Sequence, residues 1–271
     1  MNIRIIATDL DGTLSNDEKI ITPATKDALT AAQKAGIKVV LASARPAPGL
    51  LRECRALSVE KYGGILMSYN GGCIVDAASM KVLYKTGIEK ETMRSVLRLL
   101  KAYPVTPILD DGKRFYVTDK NGYKVEYECQ NNGMECTEVE DLAGFLDFSP
   151  VKVLMSVDPA EISNVQKSIA PHLPEGLAIV QTAPFYLEVI PGSINKGEGL
   201  KKVCELLQIP VSESIAFGDA ENDISMIKTT GIGVAMGNST EAVKAAADFI
   251  TSSNNDDGIA FALQKFLSPV R

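Results

Sequence analysis

Histidine is almost missing from this chain, since His172 is the only one among 271 residues. Mechanisms that rest on a histidine nucleophile or a Ser-His-Asp triad therefore find no support, and His172, beside Pro171, reads as a surface or packing residue. Cysteine is scattered: Cys54, Cys73, Cys129, Cys136 and Cys204 are odd in number and contain no CxxC pair. This excludes a disulfide framework and a zinc site of the usual spacing. No stretch approaches the roughly 18 apolar residues of a membrane span. The apolar run at the start is too short for a signal peptide, so a soluble, cytoplasmic protein with reduced thiols is expected. Basic residues are outnumbered, 28 against 34 acidic for a net charge of −6, and form no Lys/Arg cluster. The electrostatic footprint of nucleic-acid binding is absent. No repeat of fixed period occurs, and the one short polar tract, Thr251 to Asp257, reads as a loop.

With hydrophobic residues at 45% and charged residues at 23%, the chain has the composition of a globular protein with a sizeable core. Ile3 to Thr8 is a continuous apolar run ending in Asp9-Leu10-Asp11-Gly12-Thr13, the pattern of a strand buried on both faces that stops in a polar loop. Thr22 is placed to cap a helix with Pro23 at its first position, ended by Gly36. A strand, Ile37 to Ala42, then runs into Ser43-Ala44-Arg45-Pro46. Strand, helix and strand in this order describe a right-handed βαβ unit whose loops emerge at one sheet edge, where ligands bind in open α/β sheets. The C-terminal part repeats the pattern: helix Lys196 to Leu207, strand Ser214 to Phe217, a helix after Asn222, strand Ile232 to Ala235, and a helix after Ser239. From about residue 84 to 186 the texture changes to alternating strands, such as Arg114 to Thr118 and Val151 to Val157, with amphipathic helices near Glu89 to Ala102 and Pro159 to Ile169. The expected architecture is α/β, a Rossmann-like three-layer parallel-sheet core of residues 1–83 and 187–271, carrying an inserted α+β cap domain at 84–186.

Asp9 and Asp11 stand two apart at the end of a buried strand. Like charges so close raise a pKa or call for a cation, and Mg²⁺ takes one or two carboxylates plus phosphate oxygens and water. The plain alternative is an Asx turn closed by Gly12. A second acidic group, Gly218-Asp219-Ala220-Glu221-Asn222-Asp223, also follows an apolar strand and opens a helix. If the two strands are neighbours, Asp219 and Asp223 face Asp9 and Asp11, which favours a Mg²⁺ site over a set of independent helix caps.

Four motifs in order, Asp9-Leu10-Asp11-Gly12-Thr13, Ser43 after a strand, Lys196 at a helix start, and Gly218-Asp219 with Asn222-Asp223, make the chain resemble the haloacid dehalogenase (HAD) superfamily along essentially its whole length. Within it the resemblance is to the Cof-type phosphatases with a large α+β cap of class C2. It implies that Asp9 is the nucleophile and Asp11 the general acid and then base, with a raised pKa. It implies that Asp9, the Asp11 carbonyl and Asp219 hold Mg²⁺ with Asp223 beside them. It further implies that Ser43, the amides of Ala44 and Leu10, Lys196 and Asn222 bind the phosphoryl group. Ala44 departs from the family's usual glycine, and its methyl narrows that loop. Asn70, in Tyr69-Asn70-Gly71-Gly72, is a substrate contact by resemblance and a hairpin turn by its residues alone. Arg45 binds the leaving group or pairs with a surface acid. Gly237-Asn238-Ser239 supplies a turn and helix N-cap, or supports the metal site. The implied substrate is a small phosphorylated metabolite, a sugar phosphate or similar, with a phosphoribityl-pyrimidine or pyridoxal phosphate as alternatives. The cap is expected to act as a lid that sets specificity. A phosphomutase and a receiver-like phospho-signalling module are the rival readings.

Overall fold

The structure, a computed structural model, describes residues 2–267. In chain order the elements are β1 (Ile5–Asp9), α1 (Pro23–Lys34), β2 (Lys38–Ala42), α2 (Leu51–Leu57), β3 (Ile65–Ser68), β4 (Cys73–Asp76) and β5 (Val82–Lys85). There follow α3 (Lys90–Leu100), β6 (Thr106–Asp110), β7 (Phe115–Val117), α4 (Val125–Asn132), β8 (Cys136–Glu138), α5 (Leu142–Phe145), β9 (Val153–Ser156), α6 (Ile162–Ile169), β10 (Leu177–Ala183) and β11 (Tyr186–Pro191). The chain ends in α7 (Lys196–Leu207), β12 (Ser214–Gly218), α8 (Ile224–Thr229), β13 (Ile232–Ala235), α9 (Glu241–Ala246), β14 (Phe249–Ile250) and α10 (Gly258–Leu267). Local chemistry starts α1 as read from the sequence: the Thr22 hydroxyl accepts the Thr25 N–H at 3.3 Å with Pro23 at the first position of the helix. The Asn195 side chain accepts the Glu198 N–H at 2.9 Å at the start of α7.

The chain divides into two compact units, Met1–Lys85 with Asn195–Arg271, and Thr86–Ile194. The first holds an eight-stranded sheet in the order β14-β13-β12-β1-β2-β3-β4-β5. Strands β14 through β3 are parallel, and β4 and β5 extend the edge antiparallel. One face of this sheet packs Ile5, Ala7, Val40, Ala42 and Met67 against Leu200, Val203 and Cys204 of α7 and Met226 of α8. The alternating residues Ile6, Val39 and Leu41 are fully buried on the other face, where α1 packs on β2, α2 and α10. Helices on both faces explain why β1, β2 and β12 are apolar throughout rather than alternating.

The second unit has a six-stranded sheet, β10-β11-β9-β6-β7-β8. Val153, Met155, Leu187 and Val189 face Met93, Val96, Leu97 and Leu100 of α3 and Val165 and Ile169 of α6. Ile108, Phe115, Val117, Leu154 and Tyr186 face Val125 of α4. Each such side chain contributes about 1.5–3 kcal/mol by leaving water. The return to the first unit falls after Ile194 and not at residue 187, because Tyr186–Pro191 is a buried strand paired with β9 and β10.

Candidate active site

Asp9 is the last residue of β1, which lies between β12 and β2 with all three parallel. The loops that follow these strands therefore leave the same sheet edge and gather their side chains there. Lys196, the first residue of α7, is fully buried. Its Nζ donates to Asp9 Oδ1 at 2.5 Å and to Asp223 Oδ1 at 2.5 Å. Asp223 Oδ2 accepts the backbone N–H groups of Asp219 and Ala220, each at 3.1 Å. The Thr13 hydroxyl donates to Asp219 Oδ1 at 2.7 Å. One carboxylate oxygen from each of Asp9, Asp219 and Asp223 lies within 4.8 Å of the others.

The three carboxylates have one ammonium among them, and the imbalance shows in the acidity of Asp9 and Asp219. Burial pushes Asp9 up to about 7, with Lys196 opposing and the charges of Asp223 and Asp219 adding to the rise. Asp219 is also raised, by burial first and by Asp223, against the Thr13 hydrogen bond. Burial works to lower Lys196, yet Asp9 and Asp223 outweigh it and hold the ammonium well above its ordinary value. The cluster thus carries more negative charge than its own residues neutralise.

Asp11 overturns one expectation. Its carboxylate does not join this cluster; it receives Arg45 Nη2 at 2.5 Å and Lys19 Nζ at 2.9 Å. Partial burial pushes its pKa up, but these two cations more than offset that, and the group sits below the ordinary carboxylate value instead of above it. Arg45 pairs with this acid and reaches the Gly49 carbonyl at 3.4 Å.

The remaining residues singled out from the sequence fall around the same edge. Ser43 is buried; its N–H donates to the Met67 carbonyl and its carbonyl accepts the Asn70 N–H. Its hydroxyl accepts the Arg45 N–H at 3.2 Å, with Ala44 half-buried between them. Leu10 is buried, and its carbonyl accepts the Ser15 N–H. Asn70 turns the chain from β3 into antiparallel β4, as a hairpin, with Tyr69, Asn70 and Gly71 at φ of 52°, 53° and 94°. Glycine is required at 71, because a Cβ there would meet Gly199 Cα of α7 at 2.7 Å. Exposed Asn222 donates its Nδ2 to Asn70 Oδ1 at 3.2 Å, which brings the two asparagines together. Ser239 is not the cap of α9, which begins after Thr240; its hydroxyl donates to the Gly218 carbonyl at 3.3 Å.

Sequence reasoning missed Thr13, Lys19 and Asn254 as supports, and left Asn238 between a turn and a support of the site. Asn238 Nδ2 donates to the Gly12 carbonyl at 2.8 Å, and the Asn254 N–H donates to Asn238 Oδ1 at 3.0 Å. Asn254 Nδ2 in turn donates to the Ser15 carbonyl at 3.1 Å. The Thr251 to Asp257 loop therefore buttresses the loop after β1, and its run of asparagines was the available signal. His172 is exposed. Burial pushes the Cys54 and Cys204 thiols up to about 11, so neither is a nucleophile near neutral pH.

The family model of haloacid dehalogenase-like hydrolases matches residues 6–263. The chain belongs to this family. A haloacid dehalogenase-like hydrolase of Bacteroides thetaiotaomicron superposes with a TM-score of 0.91 at 32% identity, over 98% of this chain and 100% of that one. The sugar phosphatase BT4131 superposes at 0.78 with 26% identity, over 97% and 98%. In sequence, the 5-amino-6-(5-phospho-D-ribitylamino)uracil phosphatase YcsE of Bacillus subtilis is 29% identical, over 98% of this chain and 97% of its own.

HAD-like hydrolases generally use a metal ion, and the residues present fit one. The donors are all oxygens, which suits a hard divalent cation. In the bonds described above Asp9 and Asp219 each keep one oxygen uncommitted, whereas both oxygens of Asp223 are engaged. Space for the group is kept by Gly12: at φ +81° a Cβ would lie 2.4 Å from Asp219 Oδ2. Gly12→Ala is accordingly expected to weaken binding of a divalent metal ion by about tenfold or more, as displaced supporting residues typically do. A titration of activity with divalent metal ions checks this, and an unchanged half-saturating concentration would refute it.

Proposed function

We propose that this chain is a Mg²⁺-dependent phosphatase that hydrolyses small phosphorylated metabolites, sugar phosphates or similar, through an aspartyl-phosphate on Asp9. The observation that carries this reading is the clasp of the buried Lys196 ammonium between Asp9 and Asp223 beside Asp219. A carboxylate and a phosphate dianion repel each other, and this arrangement offsets that repulsion at the point of attack. The named relatives, a sugar phosphatase and a phosphoribityl-pyrimidine phosphatase, support the substrate class.

Asp9, Asp219 and the Asp11 carbonyl would hold Mg²⁺, with Asp223 beside them keeping Lys196 and the 219–220 backbone in place. Bound there, the ion would supply Lewis-acid charge that offsets the repulsion between the phosphoryl group and Asp9. Asp9 attacks phosphorus as the bond to the leaving oxygen breaks, and Asp11, in its protonated form, supplies that oxygen's proton. Water then attacks the phosphorus, Asp11 takes its proton, and phosphate leaves with Asp9 restored. Lys196, the Ser43 hydroxyl, the amides of Leu10 and Ala44, and Asn222 receive the equatorial oxygens, where transition-state charge spreads.

Arg45 and Lys19 lower the pKa of Asp11 and so set the pH above which its proton is unavailable to the leaving group. Arg45→Met removes one of these cations, so the Asp11 pKa rises. The descending limb of kcat/KM against pH is expected to move to higher pH, and a limb that stays in place or moves down would exclude Asp11 as the acid.

The function itself is tested by phosphate release from sugar phosphates, nucleotides, pyridoxal phosphate and a chromogenic ester, with Mg²⁺ or EDTA. Release that requires Mg²⁺ supports the reading. Isomerised sugar phosphates without free phosphate would replace it with a mutase, and stable phosphorylation without turnover with a receiver module.

A further inference from the structure

In the inserted unit, the turn between β10 and β11 and the start of α4 bring three aromatic rings around one ammonium. Phe185 meets Tyr127 edge-on, with centroids 5.9 Å apart at 90°, and Tyr123 at 6.3 Å and 89°. Lys124 Nζ lies over all three, at 4.9 Å from the Phe185 centroid, 5.1 Å from Tyr127 and 5.9 Å from Tyr123. Every distance is inside the range over which a ring's quadrupole attracts a cation. Tyr123 and Tyr127 are 47% and 48% exposed, so the rings are open to solvent.

The backbone holds the lysine in this position. Lys124 has φ 58° and ψ 12°, a left-handed conformation that side-chain-bearing residues enter at a cost. Its carbonyl is fixed by the Tyr186 hydroxyl, which donates to it at 2.9 Å. Tyr186 is itself buried, at the edge of the apolar cluster that seats α4. A bland account is surface packing of a lysine stem on rings. It does not explain why the ammonium is placed within reach of three ring faces at nearly perpendicular angles, the arrangement by which proteins recognise alkylated ammonium groups.

We propose that Tyr123, Tyr127 and Phe185 form a binding site for a small alkylammonium ligand, filled in this structure by the protein's own Lys124 as a tethered competitor. None of these residues belongs to the carboxylate and lysine cluster of the first unit, so the site is assayed by binding alone. Because the competitor is covalently attached, its effective concentration is high and the unmodified protein binds weakly. Removing the ammonium frees the cage.

The test is a choline titration followed by the ring-proton NMR signals of the full-length protein, with 3,3-dimethylbutan-1-ol as a probe of the same shape without charge. Lys124→Gly, which suits the left-handed backbone, is expected to bind choline about tenfold or more tighter than the wild type, and the neutral alcohol about tenfold or more weaker than choline. Phe185→Leu in that background is expected to lose the binding. Circular dichroism verifies the fold, and Lys124→Ala serves in the same comparison if the glycine variant does not fold. Equal binding of choline and the alcohol, no gain on removing Lys124, or undiminished binding by Phe185→Leu would each overturn the proposal.

Discussion

Asp9→Asn is expected to lower kcat on the order of 10⁴-fold or more, as loss of a nucleophile does, while the protein remains folded. The amide has the same shape and its oxygen can still accept from Lys196 Nζ, which now stands 2.5 Å from Asp9 Oδ1. It cannot form an acyl phosphate that water releases. The sign of the stability change is also determined. Asp9, at about 7 when buried against 3.8 in an unfolded chain, takes up a proton on folding between those values, so its contribution is full below the unfolded value and lost as pH climbs through about 7. The neutral amide carries no such term. Without Mg²⁺ at pH 8, the variant should therefore melt no lower than the wild type, and the wild type should gain more from added Mg²⁺. Single-turnover phosphate release and paired thermal melts check both halves. Retention of even about a hundredth of the wild-type rate would remove Asp9 from the nucleophile's role.

The second large effect is expected at Lys196. Lys196→Met keeps the length of the stem and removes the only ammonium bound to Asp9 and Asp223 among the described residues. Two buried carboxylates then lack their cation, a change that typically costs about 3–5 kcal/mol. Turnover is expected to fall by about 10²–10³ as well, since a charge aimed at the developing phosphoryl oxygens is lost. The two losses are separable. Adding Asp223→Asn to Lys196→Met removes one of the two unpaired charges and should restore part of the stability without restoring turnover. A double variant that regains turnover would show that Lys196 acts only as a structural counter-ion.

Much of this was legible because burial leaves a plain mark on sequence. Strands β1, β2, β12 and β13 are covered on both faces, so their apolar runs stand out, and α1 begins at a Thr22 cap that also signals itself. β5 was not seen, because at the sheet edge Val82 and Leu83 are exposed and no periodic pattern constrains them. The chain's return to the first unit was set too early for a related reason: Tyr186 to Val189 is buried whichever sheet it joins, and only its pairing with β9 and β10 decides. In the site, Asp9, Asp219 and Asp223 stood out as acids following buried strands, whereas Lys196 came only from the resemblance of the motifs. The environment of Asp11 did not show, because Arg45 lies 34 positions away in sequence and reaches the acid only once β1 and β2 have paired. The engagement of both Asp223 oxygens was equally hidden, since two of its three donors are main-chain N–H groups with no side-chain signature.

The first unit is discontinuous, and the order in which its parts leave the ribosome follows. Asp9 is joined to Lys196 across 187 positions, Thr13 to Asp219 across 206, and Gly12 to Asn238 across 226. The inserted unit, continuous from Thr86 to Ile194, is complete before any of these partners has been synthesised. During that interval β1 lacks β12 on one side and presents Ile5, Ile6 and Ala7 with unpaired backbone groups, the kind of exposed edge that invites association between nascent chains. Late emergence of α7 and β12 thus makes chemical competence and protection from aggregation arrive together, in the last third of translation.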